Sequence, residues 1–247
     1  MKTILATALL ALLSASAHAA PADLRAGLAA ADRAKENVTL DEVRRPAEVL
    51  AFLGLKKGDR ALDYFTGAGY YAEVMAKAVG PKGVVVGWNA TPFAAKAKDK
   101  LAAIREKDAN LSFYSTPATA LAFPTASYDF AMLHLVYHDT YWESAEYQVP
   151  RIDPATVVKA LFQAVKPGGI VAVIDHAAAP GGDTPDVVEK LHRIDPAVVR
   201  ADFERAGFVL EAQSDLLKVP GDDHSKNVFD PSIRGRTDRF VYRFRRP

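Results

Sequence analysis

Arg60-Ala61-Leu62-Asp63-Tyr64-Phe65-Thr66-Gly67-Ala68-Gly69-Tyr70-Tyr71-Ala72-Glu73 is the stretch that decides the fold. A short apolar run ends in an acid and passes through a turn carrying glycines at 67 and 69. It then becomes a helical pattern with Tyr71, Val74, Met75 and Ala78 on one face. Glycine suits a turn whose backbone needs left-handed dihedrals or presses against a ligand. A helix that starts at once aims its free amides at whatever lies there. The layout is that of the first strand-to-helix turn in a nucleotide-binding α/β sheet, and equally of any tight connection of that type.

The rest of the chain repeats the pattern. Gly83–Asn89, Leu111–Tyr114 and Tyr128–Leu133 read as further buried strands. Lys166-Pro167-Gly168-Gly169 reads as a helix stop and turn before a fifth strand, Ile170–Asp175. Helical stretches at Ala94–Glu106 and Pro154–Val165 fall between them, and Phe208–Leu217 and Phe240–Phe244 supply two more strands. Strands alternating with helices at this spacing imply βαβ units and a mostly parallel sheet covered on both faces.

This order of motifs resembles the class I S-adenosylmethionine-dependent methyltransferases over about residues 45–215. The family's glycine-rich motif corresponds to Asp63–Gly69, its ribose-facing strand end to Trp88-Asn89, and its adenine-side segment to Thr119-Ala120-Leu121. Lys166–Gly169 looks like the turn these enzymes carry before strand five. Tyr137-His138-Asp139, Asp175-His176 and His192–Pro196 look like a group of exported bacterial predicted methyltransferases. The resemblance implies a doubly wound, mostly parallel, seven-stranded Rossmann-like sheet with an antiparallel last strand. It implies S-adenosylmethionine as cofactor, held around Asp63, Tyr64, Thr66, Gly67, Gly69, Asn89 and His134. Two positions depart from the pattern. Phe65 stands where the family usually has glycine, and its ring either narrows the cofactor cleft or turns into the core. Asn89 stands where it usually has a carboxylate; an amide accepts through one oxygen only, which weakens a ribose contact by about 1–2 kcal/mol.

Ligands of open parallel sheets bind beyond the carboxyl ends of the strands. That rule gathers His134, Tyr137, His138, Asp139, Tyr141 and Trp142 after strand four and Asp175-His176 after strand five onto one rim. Methyl transfer requires alignment and often removal of an O–H or N–H proton, a task suited to a histidine. His138, oriented by Asp139 or Asp175, is the expected catalytic base. Tyr137, Tyr141 and Trp142 are expected to stack on the acceptor or enclose the sulfonium. Asp195 reads as the N-cap of a helix opened by Pro196. Two alternatives remain: a metal-dependent enzyme using His138, Asp139, Asp175 and His176, although no fixed-spacing metal motif occurs, or a catalytically inactive methyltransferase-fold binder.

Residues 1–19 read as a secretory signal peptide: Lys2, an apolar run from Ile4 to Leu13, and Ala17-His18-Ala19 before a cut after Ala19. The expected address is the periplasm or the exterior, with residues 20–247 forming one domain and no stable membrane span. The chain has 31 basic and 30 acidic side chains, and the leader removes one lysine and no acid, so no basic excess exists to track a nucleic acid. It has no cysteine, which leaves the redox compartment open. The expected partner is a small molecule. Residues 20–55 form a helical leader: Ala22–Asn37 with its stripe Leu24, Leu28 and Ala31, then Asp41–Leu53 interrupted at Pro46. Its Arg44 and Arg45 are candidates for the cofactor's carboxylate, as in the resembling enzymes, or plain surface charges. Residues 218–238 form a long Pro-, Gly- and Asp-rich loop expected over the site's rim. Arg239–Arg245 alternates as a strand with a polar face, expected at a solvated sheet edge.

Overall fold

The computed structural model describes residues 21–247; the expected signal peptide lies outside them. Seven strands form one sheet: β1 (Arg60–Tyr64), β2 (Val84–Ala90), β3 (Leu111–Thr116), β4 (Tyr128–His134), β5 (Val165–His176), β6 (Val209–Ser214) and β7 (Arg239–Arg245). Their order is β3-β2-β1-β4-β5-β7-β6. The first five run parallel, and β7 is antiparallel to both β5 and β6. This is the expected doubly wound sheet with its reversal between β1 and β4. The Arg-rich strand, however, is not an edge. β7 lies between β5 and β6, and Arg243 and Arg245 reach across to Glu211 on β6 at 2.8 and 2.6 Å.

The helices are α1 (Leu24–Ala29), α2 (Lys35–Val38), α3 (Asp41–Arg44), α4 (Pro46–Leu53), α5 (Tyr70–Val79), α6 (Thr91–Arg105), α7 (Pro154–Ala164), α8 (Thr184–Leu191) and α9 (Pro196–Arg205). The α5 stripe of Tyr71, Val74, Met75 and Ala78 is buried against one face of the sheet together with Val49, Leu50 and Leu53 of α4. Burying Val74 and Met75 stabilises by about 2 kcal/mol each. Val157, Val158 and Leu161 of α7 and Val199 and Phe203 of α9 cover the other face.

The leader departs from expectation in one respect: residues 22–37 are two short helices, not one. The cause is Glu73, wholly buried on α5, whose carboxylate takes the Ala34 amide at 2.7 Å and the Asn37 side-chain amide at 2.8 Å. A buried carboxylate needs such partners, and supplying them bends the chain out of helix. The second expected helix splits at Arg45, which takes a left-handed φ of 46°, and Pro46 opens α4. Lys166-Pro167-Gly168-Gly169 lies inside β5 as an irregularity, pairing resuming at Phe130 with Ile170. Asp195 does cap α9, accepting from the Ala197 amide at 2.8 Å.

Candidate active site

The turn after β1 is built from its own polar groups. Thr66 Oγ1 donates to Asp63 at 2.6 Å. Burial pushes the Asp63 carboxyl up to about 6, against the Thr66 hydroxyl, the Ala72 amide and the Arg44 charge. Asn89 brackets Gly67 with both ends of its amide: its oxygen accepts from the Gly67 amide at 2.9 Å and its nitrogen donates to the Gly67 carbonyl at 3.0 Å. Asn89 is therefore turned onto the turn and into a small groove of about 230 Å³ that also holds Thr66, not toward the main cavity. Gly67 and Gly69 differ. A Cβ on Gly67 would meet nothing, whereas one on Gly69 would lie 3.0 Å from Ile104 and Leu101 of α6. Gly69 thus serves helix packing.

The main cavity, about 820 Å³, opens beside this turn. Of the seven expected cofactor residues, Tyr64 lines it; Asp63, Thr66, Gly67, Gly69 and Asn89 form the turn behind it. Phe65 resolves the departure read from the sequence. It adopts the left-handed φ of 54° that a glycine would take more cheaply, by about 1–2 kcal/mol. Its ring enters the cavity and meets Trp88 and Phe93 edge-on at 5.9 and 5.0 Å. Tyr64 stacks on Trp88 at 5.0 Å. An aromatic wall results, continued by Pro117, Ala118 and Thr119, close to the segment expected beside adenine.

The opposite end is polar. Asp175, wholly buried, accepts from the His138 ring Nδ1 at 2.7 Å, from the His138 amide at 2.9 Å and from the His176 amide at 2.8 Å. The other ring nitrogen of His138 meets Asp139 at 3.2 Å. Burial works against a charged His138, but Asp175 and Asp139 outweigh it and hold its pKa well above the usual value. At neutral pH His138 is an imidazolium with neither nitrogen free, so the expected role of catalytic base does not suit it. The same two contacts leave no lone pair for a metal, which disfavours the metal alternative. His176 lines the cavity, with Nδ1 on Thr237 Oγ1 at 2.7 Å, and burial pulls its pKa to about 3.

Sequence reasoning missed His192. The sequence placed it at the start of the His192–Pro196 segment, part of the resemblance and the lead into the α9 cap, and gave it no role at the site. In the structure it ends α8 with a left-handed φ of 50°, and its ring enters the cavity 5.7 Å from His138. The signal available was a histidine closing an amphipathic helix. Trp142 lines the cavity as expected. Tyr137 and Tyr141 do not: both hydroxyls donate to Asp202, and Tyr137 is fully buried. The 218–238 loop does cover the rim, bringing Val228 and Phe229 to the cavity. Arg193, wholly buried, ties that loop down through paired bonds to Asp222 at 2.9 and 3.0 Å.

The methyltransferase-domain family model matches residues 55–217. The chain belongs to this methyltransferase family. It is 28% identical over 128 residues to a demethylmenaquinone methyltransferase of Geobacillus kaustophilus (strain HTA426), covering 52% of the chain and 50% of that protein. The chain therefore spans half the length of that relative. A SAM-dependent methyltransferase from Aquifex aeolicus superposes with a TM-score of 0.58 at 20% identity, over 84% of the chain and 98% of the neighbour. An arsenic(III) S-adenosylmethionine methyltransferase from Chlamydomonas reinhardtii gives 0.56 at 20% identity, over 92% and 74%. Family and fold are those of the S-adenosylmethionine-dependent methyltransferases, as the sequence led us to expect.

The residues present offer that cofactor two of the expected groups, Arg44 and His134, and one the sequence did not suggest, Arg239. Arg44, laid over the Tyr70 ring at 4.3 Å, and the buried Arg239 have no carboxylate partner in an ion pair among the described residues. Beside them His134 packs on Tyr71 at 4.7 Å with Nε2 sealed from solvent and unpartnered. Burial and then the Arg44 and Arg239 charges keep His134 neutral, well below its ordinary pKa. Unpaired, partly desolvated cations favour an anion, and the cofactor's amino-acid carboxylate is one. Arg45 instead bonds Glu48 and the Leu216 carbonyl at the surface.

Proposed function

We propose that this chain transfers a methyl group from S-adenosylmethionine to a small, largely apolar acceptor, and that it works outside the cytoplasm. The cavity carries the reading. It runs from the tips of β1, β2 and β3 to the histidine end beyond β4 and β5, and about 820 Å³ accommodates a nucleoside-bearing cofactor and an acceptor together. When bound, the cofactor supplies an electrophilic methyl group. Trp88, Phe93 and Phe65 would face its adenine side, while Arg44 and Arg239, beside His134 at the end of β4 and outside the cavity lining, are the cations available to its carboxylate. Trp142, Tyr147 and Phe229 wall the acceptor's side, which selects against a strongly polar molecule. There the Asp175-clamped imidazolium of His138 provides a fixed positive charge, stabilising the negative charge that grows on the acceptor as it loses a proton. Export is supported by the leader read in residues 1–19.

A thermal-shift titration with S-adenosylmethionine and S-adenosylhomocysteine tests the cofactor assignment. At a hundredfold excess over its dissociation constant each ligand should stabilise the fold by about 2.7 kcal/mol. Absence of any shift at millimolar ligand would overturn the assignment. Cell fractionation, with sequencing of the processed N-terminus, tests the address; a cytosolic, unprocessed chain would refute export.

A further inference from the structure

The three imidazoles at the polar end of the cavity differ in what they have left to offer. His138 has both nitrogens on carboxylates. His176 has Nδ1 on Thr237 and sits 5.9 Å from the His138 ring. His192 is bonded through its backbone alone: its amide donates to Val188 at 2.8 Å, closing α8. Its Nδ1 is sealed from solvent without a partner, and Nε2 is the nitrogen the cavity can reach. We propose that His192 is the catalytic base, taking the acceptor's proton on Nε2 while the neighbouring His138 remains charged. The proposal rests on the methyltransferase reading above.

Placement supports the assignment. The ring is held edge-to-face by Trp142 at 5.0 Å and Phe229 at 5.1 Å, so it stands between the two aromatic side chains that wall the acceptor's side. The tautomer with its proton on Nδ1 directs the lone pair of Nε2 at the acceptor. Burial and then the His138 charge lower the His192 pKa, against Asp139 and Glu189, so the ring is neutral and ready to accept at neutral pH. Once it accepts, the proton lies at the C-terminus of α8, where the helix carbonyls favour a cation. Competing acceptors are weaker: His176 titrates near 3, and Asp139 already accepts from an imidazolium. With the cofactor bound, an acceptor oxygen would bond the methyl carbon as the methyl–sulfur bond broke, that electron pair staying on sulfur. The hydroxyl's electrons stay on oxygen and its proton passes to His192 Nε2, then to water at the cavity mouth.

The probe for this proton transfer is 4-nitrophenol, a ring-bearing hydroxyl with a coloured anion, added to the purified chain without cofactor. Bound to the wild type, it should ionise about tenfold more readily than in water, a shift of one unit. The ring resonances of His192 should move to their imidazolium positions in the NMR spectrum. In His192→Gln the probe should still bind, but its shift should shrink to the part that the fixed His138 charge alone provides. With any acceptor found, methyl transfer should fall by about 100-fold. Unshifted ionisation in the wild type, or a shift that survives His192→Gln undiminished, overturns the proposal. Because glutamine also disturbs the α8 cap, a second measurement uses the wild type alone. Diethyl pyrocarbonate at neutral pH should acylate His192 first and spare His138; the reverse order overturns the proposal. The probe needs no cofactor, so a failed S-adenosylhomocysteine shift would sink the methyltransferase reading without altering this result.

Discussion

At the turn after β1, each polar side chain has found a neighbour: Thr66 bonds Asp63, and both ends of the Asn89 amide bond Gly67. Elsewhere on the same rim, His138 is held charged, His192 and His134 each have a sealed nitrogen with no partner, and Arg44 has no ion pair among the described residues. The first region is satisfied by the chain itself; the second is satisfied only by something added to it. Buried polar groups are costly when unpaired. The contrast therefore separates scaffold from chemistry more sharply than the motif does, since the glycine turn is the most recognisable stretch of the sequence and contributes mainly shape.

The largest effect that tests this contrast is at Asp175. Asp175→Asn presents an N–H where the carboxylate accepted, and leaves the buried His138 charge without its main partner. We expect a loss of about 3–5 kcal/mol in urea unfolding. A loss below about 1 kcal/mol would mean that the histidine end is as self-sufficient as the turn.

Next in size is the response to acid. His176 has a folded pKa of about 3 against an ordinary 6.5. Between those values the unfolded chain binds a proton that the folded chain refuses, so stability falls as pH drops, by about 1.4 kcal/mol per unit from this group. His138 has the opposite sign: its contribution is full below pH 6.5 and fades only as alkali removes the proton. Unfolding midpoints measured from pH 7 to pH 4 should therefore slope less in His176→Gln than in the wild type; equal slopes would contradict the neutral burial of this ring.

How much of this was legible in the sequence follows the same division. Short runs of apolar and aromatic residues located all seven strands, most clearly the central ones, because a strand buried on both faces must be apolar throughout. The helix break at 30–34 was not legible, since it is imposed by Glu73, some forty residues on. The Arg-rich strand was misplaced because alternation reports a polar face and says nothing about neighbours in the sheet. His138 is placed by the sequence on the rim with Asp139 or Asp175 to orient it as a base; the fold supplies both carboxylates at once, which favours the charged ring instead. His192 depends on a left-handed φ at the end of α8, which a histidine does not announce.

The smallest and most discriminating effect concerns Asn89. Asn89→Asp places a carboxylate oxygen against the Gly67 carbonyl in place of an N–H donor. We expect it to cost about 1–3 kcal/mol of stability and to leave S-adenosylhomocysteine affinity unimproved, because position 89 faces the turn. A gain in affinity by calorimetry would show that the turn is a ribose site after all.

The insertion of β7 between β5 and β6 has a consequence for how the molecule comes into being. β6 is synthesised before β7 and pairs with no strand until β7 arrives. Residues 218–238 join the two, so the segment that roofs the cavity is also the tether that delivers the missing strand. Throughout synthesis the half-finished chain therefore carries both an unsealed sheet and an unroofed pocket, and a single late docking event cures both. A chaperone that shields apolar strand edges would meet this protein in that interval, and a cut in the tether before docking would leave β6 exposed as a template for aggregation.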